Sequence, residues 1–167
     1  MITIRNAGIG DVELLLKWDQ NQHVIDADPA GDWQWDQELK RDPEWREQLI
    51  AEKDGQPIAF VQIIDPANEE SHYWGQIGVG KRAIDIWIGE KENLGKGFGT
   101  QIMELVLRRC FEIGAVTEVL IDPFATNHRA INFYKRLGFK FVEDRIFDGD
   151  ECEIFSLKKG DWLTNGR

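Results

Sequence analysis

The sequence predicts an α/β (α+β) fold, with a mixed central sheet of about seven strands and helices on both faces. Three observations predict it. Two strand-like runs meet at Asp54-Gly55, apolar alternation returns over residues 83–89, and from there strands and amphipathic helices alternate toward the end of the chain. At 167 residues and 19.3 kDa, the chain is expected to form a single domain, residues 1–167, burying about two thirds of its unfolded surface.

Ile2 to Arg5 reads as the first strand. Asp11 to Trp18 places Val12, Leu15 and Leu16 on one helical face, with Asp11 as its cap. An acidic, loop-rich stretch carrying Trp33 and Trp35 leads to a short helix near Asp36 to Lys40 and a turn at Asp42-Pro43. "EQLIAEKDGQPIAFVQII" is two strands joined at Asp54-Gly55, a dipeptide that favours tight hairpin turns. Residues 65–80 form a polar, glycine-punctuated connection with Glu69, Glu70, Tyr73 and Trp74. "AIDIWIG", Ala83 to Gly89, is a further strand. After the glycines at 95, 97 and 99, a helix from about Gly99 to Ile113 presents Ile102, Leu105, Val106, Cys110 and Ile113 on one face, with Gly114 at the left-handed cap position. "TEVLID" is the next strand. Asn127 to Leu137 forms a helix stopped by Gly138, and strands follow near Phe139 to Val142 and Glu151 to Leu157.

No apolar run of about 18 residues and no charged-plus-apolar leader occurs at the start, so the expectation is a soluble, cytoplasmic protein with no membrane partner. Cys110 and Cys152 lie in apolar-periodic segments rather than in a C-x-x-C spacing. Buried thiols are expected, and no metal site. The net charge of −10 is unevenly spread: residues 18–80 hold 14 acidic and 4 basic side chains, whereas residues 91–145 hold 9 basic and 7 acidic ones. The first region suits cations and the second tolerates phosphates. A nucleic-acid partner is not expected, because it would need a contiguous basic stripe.

A helix start exposes unpaired N–H groups and the positive end of its dipole, so a loop of Gly95, Gly97 and Gly99 ahead of a helix suits an anion. The alternative is a tight packing turn. A Walker loop fits poorly because Lys96 is followed by Gly97 rather than Ser or Thr, and so does a dinucleotide fingerprint, which would belong to the first βα unit. Asp85 interrupts "AIDIWI", sharing one strand face with Trp87 while Ile84, Ile86 and Ile88 take the other. Such a carboxylate is either a base whose pKa burial has raised or a structural residue that pairs with Arg82 or caps a loop. Cys110, on a core-facing stripe, is a poor nucleophile, and no role is read for His23. His72 lies in the connection where an acceptor loop is expected.

Leu94-Gly95-Lys96-Gly97-Phe98-Gly99 resembles the [QR]-x-x-G-x-[GA] pattern of the Gcn5-related N-acetyltransferase (GNAT) superfamily, with Leu94 departing at its first position. Asn127, Ala130, Phe133, Tyr134, Gly138 and Phe139 complete a second pattern of that family, N-x-x-A-x-x-F-Y-x-x-x-G-F. The resemblance implies a GNAT fold and acetyl-CoA as co-substrate. Backbone N–H groups of Gly95, Lys96, Gly97, Phe98, Gly99 and Thr100 would hold the pyrophosphate. Ile86, Trp87 and Ile88 would pair with the pantetheine arm, and Asn127 with Ala130 would contact it as well. "AIDIWIGEKENLGKGFGT" is similar to the aminoglycoside 6′-N-acetyltransferase branch. That likeness implies Asp85 as general base, Tyr134 as general acid toward the thiolate, and Asp122 as a contact to the antibiotic. Read from the residues alone, Tyr134 is equally an aromatic core residue. Glu69 or Glu70, Trp33 and Trp35 are candidate substrate contacts. The rim of Asp26, Asp28, Asp32, Asp36, Glu69 and Glu70 would gather a small cationic amine. The expected activity is direct transfer of acetyl to the 6′-amine of an aminoglycoside, conferring antibiotic resistance, by a monomer or homodimer. Alternatives are another small amine, such as a polyamine or a hydroxylysine-type siderophore precursor, or a non-catalytic acyl-CoA-binding module.

Overall fold

A computed structural model of the protein describes residues 1–29 and 31–165. The chain forms two compact units, Met1–Ile63 with Asp85–Leu105, and Ile64–Ile84 with the chain from Val106 on.

In the first unit, β1 (Ile2–Asn6) runs antiparallel to β2 (Arg46–Lys53), from Ile2↔Lys53 to Asn6↔Leu49. The expected hairpin is present. Asp54 and Gly55 form a two-residue turn with φ of 51° and 81°, the signature that matches the twist of the strands it joins, and β3 (Gln56–Ile64) follows. β4 (Lys81–Ile88) is the next strand, and its residues from Asp85 on belong to this unit. The helices are α1 (Val12–Trp18), α2 (Gln22–Ala27) and α3 (Trp35–Glu38). Leu15, Trp18, Val24, Trp35, Ile50, Phe60 and Trp87 form one buried cluster, with each large side chain contributing about 1.5–3 kcal/mol by leaving water. Trp18 lies so close to the end of β4 that a β-carbon on Gly89 would sit 2.0 Å from its ring, which is why the strand ends in glycine.

Asp11 precedes α1 as expected but its side chain does not cap that helix. Both carboxylate oxygens accept from the Arg5 guanidinium, at 2.8 and 2.9 Å, and one also accepts from Gly8 N–H. The ion pair outcompetes the cap. The sequence reading did not include α2, whose six residues bury only Val24 and have no side-chain cap.

In the second unit, the start of β4 pairs in parallel with β5 (Glu118–Ile121), over Lys81↔Glu118 to Ala83↔Leu120. β5 runs antiparallel to β7 (Asp150–Lys158), and β7 to the edge strand β6 (Lys140–Phe147), whose register shifts between Phe141 and Glu143. The strand order is β1-β2-β3-β4-β5-β7-β6, the expected seven-stranded mixed sheet. Between the strands lie α4 (Phe98–Glu112) and α5 (His128–Arg136), and α6 (Lys159–Thr164), absent from the sequence reading, ends the described chain while burying Trp162. In this unit α4 buries Val106, Leu107, Cys110 and Phe111, whereas Ile113 is exposed. Gly114 is not left-handed; instead Ile113 N–H bonds to Cys110 and Val116 N–H to Ile113, closing the helix with ordinary right-handed turns. Gly138, at φ 98°, does stop α5. Cys110 and Cys152 are buried free thiols, and burial pushes the Cys152 thiol up to about 11. No helix among the described residues is long and apolar enough to cross a membrane.

Candidate active site

Strand alternation puts Gln48 and Ile50 of β2, Phe60 and Gln62 of β3, and Asp85 and Trp87 of β4 on one face of the first unit's sheet. Ile50, Phe60 and Trp87 form an apolar row within the buried cluster, with Phe60 and Trp87 ring centroids 4.7 Å apart. Gln48, Gln62 and Asp85 form the adjacent polar row. Gln48 Nε2 donates to Gln62 Oε1 at 3.1 Å, and Gln62 Nε2 donates to Asp85 Oδ2 at 3.1 Å.

Asp85 is half-buried, and its carboxyl is pushed up to about 6. Desolvation is the main cause and the charge of Asp28 adds to it, while the Gln62 hydrogen bond opposes both. Arg82 is not its partner; that guanidinium bonds to Lys81 C=O and lies 3.7 Å from Asp65. Trp33, half-buried, stacks on Trp35 at 5.1 Å between centroids with 5° between planes, and its Nε1 donates to Asp28 Oδ2 at 2.9 Å. It also leans on Trp87 at 5.2 Å. Trp35 is only 2 % exposed and donates to Asp19 Oδ2 at 2.7 Å, so it backs Trp33 rather than offering a face of its own. Asp19 is raised by desolvation, against the Trp35 N–H, with the charges of Asp28 and Asp32 adding. Trp87 Nε1 is buried with no acceptor among the described residues. Stacked indoles and a group of carboxylates that disfavour one another's charge combine aromatic surface with negative charge here, a combination that attracts cations.

The end of β4 is tied to α2. His23 Nε2 donates to Ile88 C=O at 2.8 Å, and Asn21 Nδ2 to Gly89 C=O at 2.7 Å. Trp87 directs its side chain into the core, while Ile86 and Ile88 are half-buried. Gly95 and Gly97 have φ of 71° and 78° and nothing within 4 Å of a β-carbon built on either. This left-handed loop, with Lys96 exposed, opens directly into α4 at Phe98, and the first-turn N–H groups of Phe98, Gly99 and Thr100 have no intrahelical acceptor.

In the second unit, Asp122 follows β5 and its Oδ2 accepts from the Tyr73 hydroxyl at 2.7 Å. Tyr73 stacks on Phe147 at 4.3 Å. Glu69 is 7 % exposed and accepts from Ser71 N–H, Ser71 Oγ and Tyr73 N–H at 2.7, 2.9 and 3.0 Å. Burial alone would raise it, but these donors outweigh burial and hold it below the usual carboxylate range. Glu69 is thus a loop anchor and leaves the expected rim, while neighbouring Glu70 is exposed. Asn127 caps α5, its Oδ1 accepting from Ala130 N–H at 3.2 Å. Tyr134 is buried on α5 beside Phe133 and Phe139. Among the described residues no group of three or more His, Cys, Asp or Glu is arranged to hold a metal ion.

Gln48 and Gln62 are not singled out by the sequence, and His23 is given no role there. Gln62 interrupts "IAFVQII" as Asp85 interrupts "AIDIWI", and that shared signal was available; His23 carried none.

Residues 9–147 match the model of the acetyltransferase (GNAT) domain. The chain is 26 % identical over 153 residues to the aminoglycoside N(6′)-acetyltransferase type 1 of Klebsiella pneumoniae, covering 83 % of this chain and 74 % of that one. It is 23 % identical over 105 residues to a spermine/spermidine N(1)-acetyltransferase of Bacillus subtilis, covering 62 % and 66 % respectively. The fold superposes on the solved structure of aminoglycoside acetyltransferase AAC(6′)-Ib in complex with coenzyme A and kanamycin with a TM-score of 0.89 at 22 % identity, covering 100 % of both chains. The matched family model spans the glycine loop, Asp85 and both motifs, and the chain accordingly belongs to the acetyltransferase (GNAT) domain family as an N-acetyltransferase.

Proposed function

We propose that the chain transfers the acetyl group of acetyl-CoA directly to the 6′-amine of an aminoglycoside, and that this transfer confers resistance to the antibiotic. The observation that carries the reading is Asp85: a carboxylate pushed up to about 6, on the same sheet face as Trp87, within the field of Asp28, which Trp33 holds by its indole N–H. A base of that pKa is half ionised near pH 6 and mostly ionised at neutral pH, so it can take a proton from the neutral amine as its nitrogen attacks. The new C–N bond forms as the C–S bond breaks. The amine proton goes to Asp85, and Tyr134 is assigned to supply one to the departing thiolate. The carboxylates at Asp19, Asp28 and Asp32 favour a substrate with several ammonium groups, and the flat face of Trp33 favours one built on rings. Asp122, Glu70 and Trp35 are assigned to substrate binding, the last as support for Trp33. The open main chain at Gly95 and Gly97, leading into the unpaired N–H groups at the start of α4, suits the pyrophosphate of the coenzyme, with Ile86 to Ile88 assigned to its pantetheine arm and Asn127 with Ala130 to the same arm.

Thiol release from acetyl-CoA, screened against kanamycin-class aminoglycosides, spermidine and hydroxylysine, tests the proposal. Aminoglycosides with a 6′-amine should give the highest kcat/KM, and their 6′-hydroxyl counterparts little. If spermidine gave the highest kcat/KM, the acceptor would be a polyamine, as in the Bacillus subtilis relative's name.

A further inference from the structure

We infer that Gln62 and Gln48 are positioning residues for Asp85: Gln48 fixes which end of the Gln62 amide faces the carboxylate, and the amide so fixed holds Asp85 in place by donating to it. The inference rests on the proposed role of Asp85 as the base.

A primary amide has a donor end and an acceptor end of nearly the same shape, so its orientation must be set by its neighbours. Here the chain of donors runs one way across three adjacent strands, Gln48 Nε2 to Gln62 Oε1 and Gln62 Nε2 to Asp85 Oδ2, both at 3.1 Å. Reversing Gln62 would set its carbonyl against the carboxylate and its NH2 against the NH2 of Gln48. Gln62 is 6 % exposed, so water is poorly placed to relieve that mismatch, and the next row along the face is Ile50, Phe60 and Trp87. Asp28 is the charged group that acts on Asp85, and it disfavours ionisation. Gln62 opposes it with a neutral donor. That choice is informative: an Arg or Lys at this position would hold Asp85 ionised but weaken it as a base, and an apolar residue would leave desolvation and Asp28 unopposed. An amide steadies the carboxylate while leaving its affinity for a proton near the range a base requires. Gln48 is half-buried and touches Asp85 only through Gln62, so its influence must pass through the amide.

The test is a carbon-13 NMR titration of the Asp85 carboxyl, identified by its disappearance in Asp85→Asn, in the full chain, Gln62→Met, Gln48→Met and the double variant. The pH profile of thiol release is measured alongside. Gln62→Met should raise the Asp85 midpoint by roughly one pH unit, as expected for loss of a hydrogen bond to a charged group. Gln48→Met should raise it by less, and adding it to Gln62→Met should change nothing further. The acid limb of kcat/KM should move in the same order. An unchanged midpoint in folded Gln62→Met, or a Gln48→Met shift that persists undiminished in the double variant, would overturn the inference. If Gln62→Met does not fold, Gln48→Met alone decides it, since an unmoved midpoint there removes the relay. Midpoints that move while the rate profiles stay fixed would leave the relay standing and remove Asp85 as the base.

Discussion

Asp85 and Glu69 are both carboxylates drawn out of water, and their surroundings drive them in opposite directions. Glu69, in the 65–80 connection of the second unit, is buried, yet it is held below the ordinary carboxylate range because three donors from Ser71 and Tyr73 converge on it. Asp85, in the first unit, has one neutral donor, Gln62, and a nearby like charge, Asp28, and it is pushed up to about 6. Desolvation raises both; three donors outweigh it at Glu69, whereas at Asp85 the single Gln62 donor does not and the charge of Asp28 adds to it. The two shifts carry opposite signs for stability against pH. A carboxylate lowered on folding stabilises the protein above its unfolded pKa and loses that contribution as pH falls. One raised on folding costs stability that accrues as pH climbs from about 4 to about 6 and persists above it.

The largest effect should come from Asp85→Asn, which ought to lower turnover roughly 100-fold or more while leaving acetyl-CoA affinity by calorimetry unchanged. Its melting temperature at pH 7.5, a pH of about one and a half units above the Asp85 midpoint, should rise rather than fall, because a desolvated charge is removed. Wild-type turnover would break the comparison at its functional end. Gly97→Val places a β-branched residue at φ 78° on the edge of the α4 N-terminus; acetyl-CoA should bind on the order of 10-fold or more weakly, and unchanged affinity would count against the cradle. Glu69→Gln is the mirror of Asp85→Asn. It should cost about 1–3 kcal/mol in urea unfolding at neutral pH, with turnover per folded molecule nearly intact. A loss of turnover without loss of stability would place Glu69 in the site after all. The smallest effect belongs to Tyr73→Phe, which removes the 2.7 Å donor to Asp122 and should change KM for a polycation a few-fold with kcat preserved.

Much of the fold is legible in the sequence because its strongest elements are periodic. The "DG" turn, the alternation around Asp85, the amphipathic face of α4 and the glycine stop of α5 each follow from local spacing, and the observed boundaries lie within a few residues of the expected ones. α2 and α6 escape notice because six residues with one buried side chain leave too short a period to read. Asp85 is visible because a charge breaks an apolar strand, yet its regulation by Gln62 and Gln48 is not, since the three residues meet only when β2, β3 and β4 align. Charge counting finds the acidic region but cannot tell an exposed carboxylate from one satisfied by its own loop, which is how Glu69 came to be expected at the rim. His23 offered no pattern at all, and its bond to Ile88 depends on where α2 lands.

The most direct test of the central claim is the pH dependence of kcat/KM for a kanamycin-class aminoglycoside at saturating acetyl-CoA. If Asp85 takes the amine proton, activity should rise through a midpoint near 6, and that limb should be missing from the residual activity of Asp85→Asn. A wild-type profile flat from pH 5 to 7, or a limb that survives in Asp85→Asn, would contradict it.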